Sequence, residues 1–169
     1  MKKVDPMDYA ETILKALPKG VLLTTKADKV NTMIIGWGSL GTDWAKPTFV
    51  TYVRESRFTR TQLDKNPEFT VNIPLDGYDK KILQICGSKS GRDMDKIKEA
   101  GLTLVDSEVV SVPGIKELPL TLECKVVFRQ KQEIPLIADK FQNFYPVEGD
   151  SKDAHITYYG EIVNAYIAE

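Results

Sequence analysis

Apolar and polar side chains alternate with a period of two along much of this chain, broken by short turn-forming runs. The clearest case is residues 120–129. Leu120, Leu122, Cys124, Val126 and Phe128 share one face there, with Thr121, Glu123, Lys125 and Arg129 on the other. Residues 69–73 repeat the pattern with Phe69, Val71 and Ile73. Further strands are predicted over 21–25, over 32–40 after a Lys-Ala-Asp-Lys turn, over 48–53 after Lys46-Pro47, and over 156–167. Helical spacing is rarer. Residues 5–17 carry Asp5 as N-cap, Pro6 at the first helical position, and Tyr9, Ile13, Ala16 and Leu17 on one face; Pro18 and Gly20 stop them. Shorter helices are predicted over 59–65, 79–85 and 92–100, the last closed by Gly101. Many short strands with few helices predict a mainly β fold, a closed or nearly closed antiparallel barrel with peripheral helices. Strands and helices do not alternate regularly, which disfavours a parallel doubly wound sheet. Residues 134–153, with Pro135, Pro146 and Gly149, read as a loop or lid.

Composition narrows the function classes. At 169 residues the chain reads as a single domain, 1–169, with no internal repeat or low-complexity tract. Lys and Arg number 23 against 24 Asp and Glu, a net charge of −1 that lacks the broad basic footprint of a nucleic-acid binder. No run approaches the ~20 apolar residues of a membrane-spanning helix. Asp5, Asp8 and Glu11 interrupt any signal-peptide core behind Lys2 and Lys3. The expectation is a cytoplasmic protein that engages neither nucleic acid nor membrane, with Cys86 and Cys124 as reduced thiols. One histidine, His155, leaves little room for a His-rich metal site.

Familiar catalytic signatures fail one by one. Trp37-Gly38-Ser39-Leu40-Gly41 lacks the first glycine of a nucleophile elbow, because position 37 is Trp. Gly87-Ser-Lys-Ser-Gly-Arg-Asp93 lacks P-loop spacing, and no dinucleotide-binding glycine fingerprint follows a strand. No catalytic side chain is therefore assigned; hard chemistry would have to come from a bound cofactor.

Four stretches retain chemical content. In Tyr52-Val-Arg-Glu-Ser-Arg-Phe-Thr-Arg60 a strand turns into a helix, with arginines at 54, 57 and 60 and hydroxyls at Ser56 and Thr59. Helix starts offer free N–H groups and a positive dipole end, which suits phosphate. A capped surface helix with solvated arginines is the alternative, and Thr59 with Gln62 has capping-box spacing. In Asn31-Thr-Met-Ile-Ile-Gly-Trp-Gly-Ser39, Gly36 and Gly38 on one strand face either admit something flat or mark a barrel bend. Trp37 points to the core unless a bulge re-aims it. Residues 86–93 form a hydroxyl-rich loop with Lys89 at its tip, either a polar clamp or a plain connection. His155 beside Tyr158 and Tyr159 is either a satisfied structural group or a cofactor contact.

Together and in this order these stretches resemble the flavin reductase-like FMN-binding split-barrel family, in particular its flavoredoxin-like members. The resemblance is carried by Asn31 to Ser39, Val53-Arg-Glu-Ser-Arg-Phe-Thr59, Phe69-Thr-Val-Asn-Ile-Pro74 and Cys86 to Asp93, and extended by Leu122-Glu-Cys-Lys125 and Tyr159-Gly-Glu-Ile-Val163. It implies an FMN-binding split barrel with Asn31, Thr32, Met33 and Trp37 at the flavin. It implies phosphate contacts from Arg54, Ser56 and Thr59, and proximity of Ser88, Lys89, Ser90 and His155 to the cofactor. Ile34 stands where many relatives have Thr. The family pattern further implies a homodimer with FMN at the interface. The activity it implies is electron transfer from NAD(P)H through FMN to a flavin, a protein partner or a small acceptor. Two alternatives stay open: an electron carrier of flavoredoxin type without nicotinamide activity of its own, and a non-catalytic ligand-binding barrel.

Overall fold

The computed structural model describes residues 1–145, 147–148 and 151–169. Seven strands build the main sheet: β1 (Val21–Lys26), β2 (Val30–Ile35), β3 (Gly38–Asp43), β4 (Lys46–Arg54), β5 (Glu68–Ile73), β6 (Leu120–Lys131) and β7 (His155–Ile167), with Lys2–Lys3 added beside the end of β7. Their spatial order is β2-β1-β5-β6-β7-β4-β3, antiparallel throughout. The two outermost strands, β2 and β3, are consecutive in the chain and separated only by Gly36 and Trp37. A sheet whose two edges are joined by two residues must curl on itself, yet no ladder pairs those edges among the described residues. The result is a mainly β barrel split along one seam.

This topology corrects the single strand predicted over 32–40. The chain leaves the sheet at Gly36-Trp37 and re-enters on the far edge, pairing first with β1 and then with β4. Gly36 and Gly38 therefore do not share a face of one strand. Trp37 is not core either: it is 46% exposed.

The barrel is filled from the inner faces by Val21, Leu23, Phe49, Phe69, Val71, Leu120, Leu122 and Tyr158. Ile13 and Leu17 enter the same core from the N-terminal helical segment. That segment begins as predicted: the Asp5 carboxylate accepts from Met7 N–H at 2.9 Å, and Pro6 occupies the first turn. Its α-helical part is α1 (Ala10–Ala16). A second core under α3 (Lys80–Ser88) and α4 (Lys96–Ala100) joins Leu22, Ile82, Cys86, Leu102, Ile115 and Leu118. Covered on both faces, β1 has no polar face to show.

On β6 the alternating pattern holds only in part. Leu120 to Cys124 are all buried, whereas Phe128 is exposed. Glu123, expected on a polar outer face, is fully buried. Its carboxylate accepts from the backbone N–H of Glu108, Val109 and Val110 at 3.0, 2.7 and 2.9 Å and from Asn164 Nδ2 at 2.8 Å. A loop packs onto that face, and Glu123 is its anchor. The helix predicted over 92–100 is shorter, beginning after the Asp95 cap and ending at Gly101 in the left-handed region with φ 66°. Residues 134–153 include short 3-10 helices at Ile134–Leu136 and Asp139–Phe144. Pro146, Gly149 and Asp150, part of the predicted lid, lie outside the described residues.

Candidate functional site

β2 is an edge strand, so one side of its backbone has no ladder partner. Two hollows lie along it. The outer one, about 220 Å³, is lined by Met33 through Trp37, Tyr52, Arg54, Arg57 and His155. The inner one, about 140 Å³, meets Asn31, Met33 and Ile34 on β2, the bend Ser56 to Thr59, Cys86 and Gly87, and Lys89 to Arg92, with Lys96. Met33, Ile34 and Arg57 belong to both, so the hollows form one trough. Consecutive residues 33–37 line it because a strand edge presents backbone from every residue, whichever way its side chain points.

The inner wall is the start of α2 (Phe58–Lys65). Arg57 is its N-cap, and no side-chain oxygen caps it. The capping box predicted for Thr59 and Gln62 does not form. Gln62 is buried instead, accepting from Thr25 Oγ1 at 2.6 Å and donating to Lys29 O at 2.9 Å. Thr59 is buried and its hydroxyl accepts from Asn31 Nδ2 at 3.1 Å, which fixes β2 to α2. The helix start therefore keeps N–H groups that no side chain occupies, at the positive end of its dipole.

Neighbouring groups bind an anion already. Ser56 donates from its backbone N–H (3.1 Å) and its hydroxyl (2.6 Å) to the Asp153 carboxylate. Arg54 donates to the carbonyls of Asp153 (2.8 Å) and Phe144 (2.7 Å) and lies over the Tyr145 ring. The Arg57 side chain makes no hydrogen bond among the described residues, and the residue lines both hollows. Arg60 turns away to Asp64 and Glu55 O.

The loop after α3 closes the trough from the other side. Lys89 and Ser90 line it; Ser88 does not, being the last residue of α3 with its hydroxyl bonded to Gln84 O. Arg92 donates to Ser56 O at 2.9 Å and its guanidinium lies over the Phe58 ring, tying this loop to the bend. Gly91 is required here: a Cβ at that position would lie 1.9 Å from Asn31 Oδ1. Thr32, grouped with Asn31 in the sequence reading, turns inward. Its hydroxyl is 3.0 Å from Thr24 Oγ1 and donates to Leu23 O at 3.3 Å.

The outer hollow is aromatic. The His155 ring lies against Trp37, Tyr52 and Tyr145, with centroids 5.4, 6.4 and 5.4 Å away. Trp37 also meets Phe144 edge-on at 5.2 Å. Burial and then the Arg54 charge push the His155 imidazole down to about 4, so it is neutral near pH 7. Tyr145 donates its hydroxyl proton to Gln132 Oε1 at 2.9 Å, so Nδ1 of His155, 3.0 Å away, must carry the proton it shares with Tyr145. Nε2 is left as an acceptor. A third hollow, about 470 Å³, adjoins at Gly36, Trp37 and Tyr52 and continues over Leu14, Leu17, Pro18 and Gln132.

Arg57 belongs to the arginine run read in the sequence, and Tyr52 and Arg92 lie within the stretches quoted there, but none of the three was assigned to the cofactor, nor was Lys96. Lys96 left a readable mark of its own: it is a cation in the first turn of a helix, where the dipole favours acids.

The fold and this trough define a class: a split barrel with an aromatic and cationic groove on an open strand edge. Residues 14–169 match the family described as flavin reductase like domain, and the chain belongs to that family. An uncharacterized protein of Archaeoglobus fulgidus is 31% identical over 106 residues, 63% of this chain and 59% of the relative, so the match spans well under two thirds of that protein. Among solved structures, flavoredoxin from Methanosarcina acetivorans superposes with TM-score 0.64 at 27% identity, covering 89% of this chain and 68% of that one. The NADH:FAD oxidoreductase SgcE6 of Streptomyces globisporus C-1027 shares the fold at TM-score 0.64 and 17% identity, covering 99% and 88%.

Proposed function

We propose that this chain is an FMN-binding oxidoreductase that accepts electrons from a reduced nicotinamide and passes them to a flavin, a protein or a small acceptor. The observation that carries the reading is the trough's polarity. Its inner end joins an uncapped helix start to Arg57, Lys89, Arg92 and Lys96, with no carboxylate among the described residues of its lining. Its outer end offers Trp37, Tyr52, His155 and the free edge of β2. A molecule with a phosphate at one end and a flat polar ring at the other fits that sequence of groups. The grip of Ser56 on a carboxylate supports anion chemistry at the bend.

In this reading Arg57, Ser56, Thr59, Lys89 and Ser90 hold the phosphate. Asn31 sets the spacing between β2 and α2, and Met33, Trp37 and the backbone of residues 34–36 bound the ring. His155 offers Nε2 as a neutral acceptor, so it adds no charge beside the ring. Arg54 anchors the segment that carries Tyr145 rather than the phosphate. FMN, when bound, supplies hydride and single-electron transfer, which no side chain of this trough provides. The third hollow has no charged side chain among the described residues of its lining, which suits a neutral ring approaching the cofactor. A second copy of the chain belongs to the same reading, since Trp37 and Phe144, 46% and 45% exposed, leave an aromatic rim at the trough's mouth.

Denaturing release of the bound chromophore, followed by anaerobic addition of NADH or NADPH, tests this. The expected result is FMN and a bleached visible spectrum. A preparation that takes up no FMN contradicts the whole reading. The likeness to a flavoredoxin favours one variant, an electron carrier; it predicts a yellow protein bleached by dithionite but not by either nicotinamide.

A further inference from the structure

Both donors of Ser56 are already in use. Its N–H meets Asp153 Oδ1 at 3.1 Å and its hydroxyl meets Oδ2 at 2.6 Å, a two-point grip on one carboxylate. Nothing else among the described residues holds that carboxylate: no ion pair includes Asp153, and Arg54 donates to its backbone oxygen instead. Both hydrogen bonds are exposed to solvent. A carboxylate held by two neutral donors within reach of water exchanges easily.

The bend that carries those donors is fixed from several sides. Arg57 N–H donates to Arg54 O at 3.0 Å and closes the turn, while Arg92 at 2.9 Å and Arg60 Nε at 3.1 Å hold the carbonyls of Ser56 and Glu55. The backbone around Asp153 is fastened as well, by Arg54 on Asp153 O at 2.8 Å and by Glu55 N–H on Ala154 O at 3.0 Å. Rotation of one side chain therefore clears the donors without moving either segment. Two anions cannot share a single N–H and a single hydroxyl, because like charges that close repel. The carboxylate brings one charge and no cation partner. A phosphate monoester brings nearly two charges and three acceptor oxygens, and Arg57 and Lys89 line the same hollow as Ser56.

We propose that Asp153 is an internal competitor of the ligand: its carboxylate and the phosphate of a flavin mononucleotide exchange on the two Ser56 donors, and this exchange holds FMN affinity below what the bend alone would give. The proposal rests on the FMN reading above and deepens it by adding a control on how tightly the flavin is kept. The phosphate wins the exchange because it draws on Arg57 and Lys89 as well as Ser56. The carboxylate returns to the same donors when the flavin leaves, which favours release.

A double-mutant comparison tests whether the competition runs through Ser56. Affinities of the full-length apo-protein for FMN and for riboflavin, which lacks the phosphate, are measured by fluorescence quenching for the wild type, Asp153→Ala, Ser56→Ala and the double variant. The expected result is an about tenfold rise of FMN affinity in D153A, and a rise of no more than about twofold when the same change is made in S56A. Riboflavin affinity should stay within twofold throughout. A rise as large in the S56A background makes Asp153 a bystanding charge and overturns the proposal. An unchanged or lower FMN affinity in D153A makes it a structural clasp and overturns the proposal as well. If D153A does not fold, Asp153→Asn carries the same comparison, with a rise of about threefold that S56A abolishes. A wild type that takes up neither ligand, or both equally, fails the FMN reading itself and removes the basis for this one.

Discussion

Two buried ionisable side chains, Glu123 in the barrel wall and Lys96 in the trough, have opposite surroundings. Four donors converge on the Glu123 carboxylate, three from the backbone and one from Asn164. Lys96 has two neutral carbonyls and cations for neighbours. The barrel wall surrounds its buried carboxylate with donors, although Thr51 Oγ1, Tyr158 OH, Asn164 Oδ1 and Tyr166 OH stay unpartnered among the described residues; the trough holds a buried cation that no carboxylate of the described residues pairs. A buried charge ringed by donors serves the fold, and one without a counter-charge marks a place where a ligand can add it.

Breaking the complete side should cost the most. Glu123→Ala strands three backbone N–H groups and the Asn164 amide, and is expected to lower unfolding stability by about 4 kcal/mol in urea titrations. FMN affinity of the folded fraction should stay within twofold. A stability loss under about 0.5 kcal/mol, the range of an ordinary surface substitution, would show the anchor to be dispensable.

His155 gives the next effect, through pH. Its imidazole is held near 4 against an unfolded value of 6.5, so the folded protein refuses a proton that the unfolded chain accepts. The contribution is complete above pH 6.5, is lost as pH falls toward 4, and then levels off, a total of roughly 3 kcal/mol. In His155→Gln the stability difference from wild type should shrink over that window, read from urea midpoints at pH 7, 5.5 and 4. A constant difference would place the imidazole outside this burial.

Arg57→Ala sharpens the trough side. Loss of one charge-assisted contact predicts about tenfold weaker FMN binding. Thermal stability should be unaffected, because the side chain bonds to nothing among the described residues. The smallest effect belongs to Asp153→Asn. It removes a negative charge beside the phosphate position and weakens the acceptor that Ser56 already holds, and FMN affinity should rise about threefold by calorimetry.

Much of the barrel was readable from residue order. β5 and the first half of β6 alternate apolar and polar residues because one face of each packs into the barrel core, while the polar residues of the other face are buried as well. Asp5-Pro6 and Gly101 mark helix ends for local reasons that need no tertiary context. The 32–40 segment misled because its β-rich run continues through the seam, and only the closed sheet requires a break at Gly36-Trp37. Gln62 misled because a buried glutamine joining β1 to the turn that follows it looks like a capping residue in sequence. The trough was half legible. Arg54, Ser56 and Thr59 stand together in the chain, but which of them faces a ligand depends on Asp153, nearly a hundred residues away. Thr32 and Ser88 sit beside trough residues and turn elsewhere, a matter of one dihedral that spacing does not encode.

The central claim is that the trough recognises a phosphate at its cationic end and a ring at its aromatic end. Titration of the apo wild-type protein with FMN and with riboflavin at low and high salt measures this most directly. The account predicts FMN binding at least a hundredfold tighter, with the gap narrowing as salt screens the exposed arginine and lysine. Equal affinities at both salt concentrations, or no FMN binding at all, would contradict it.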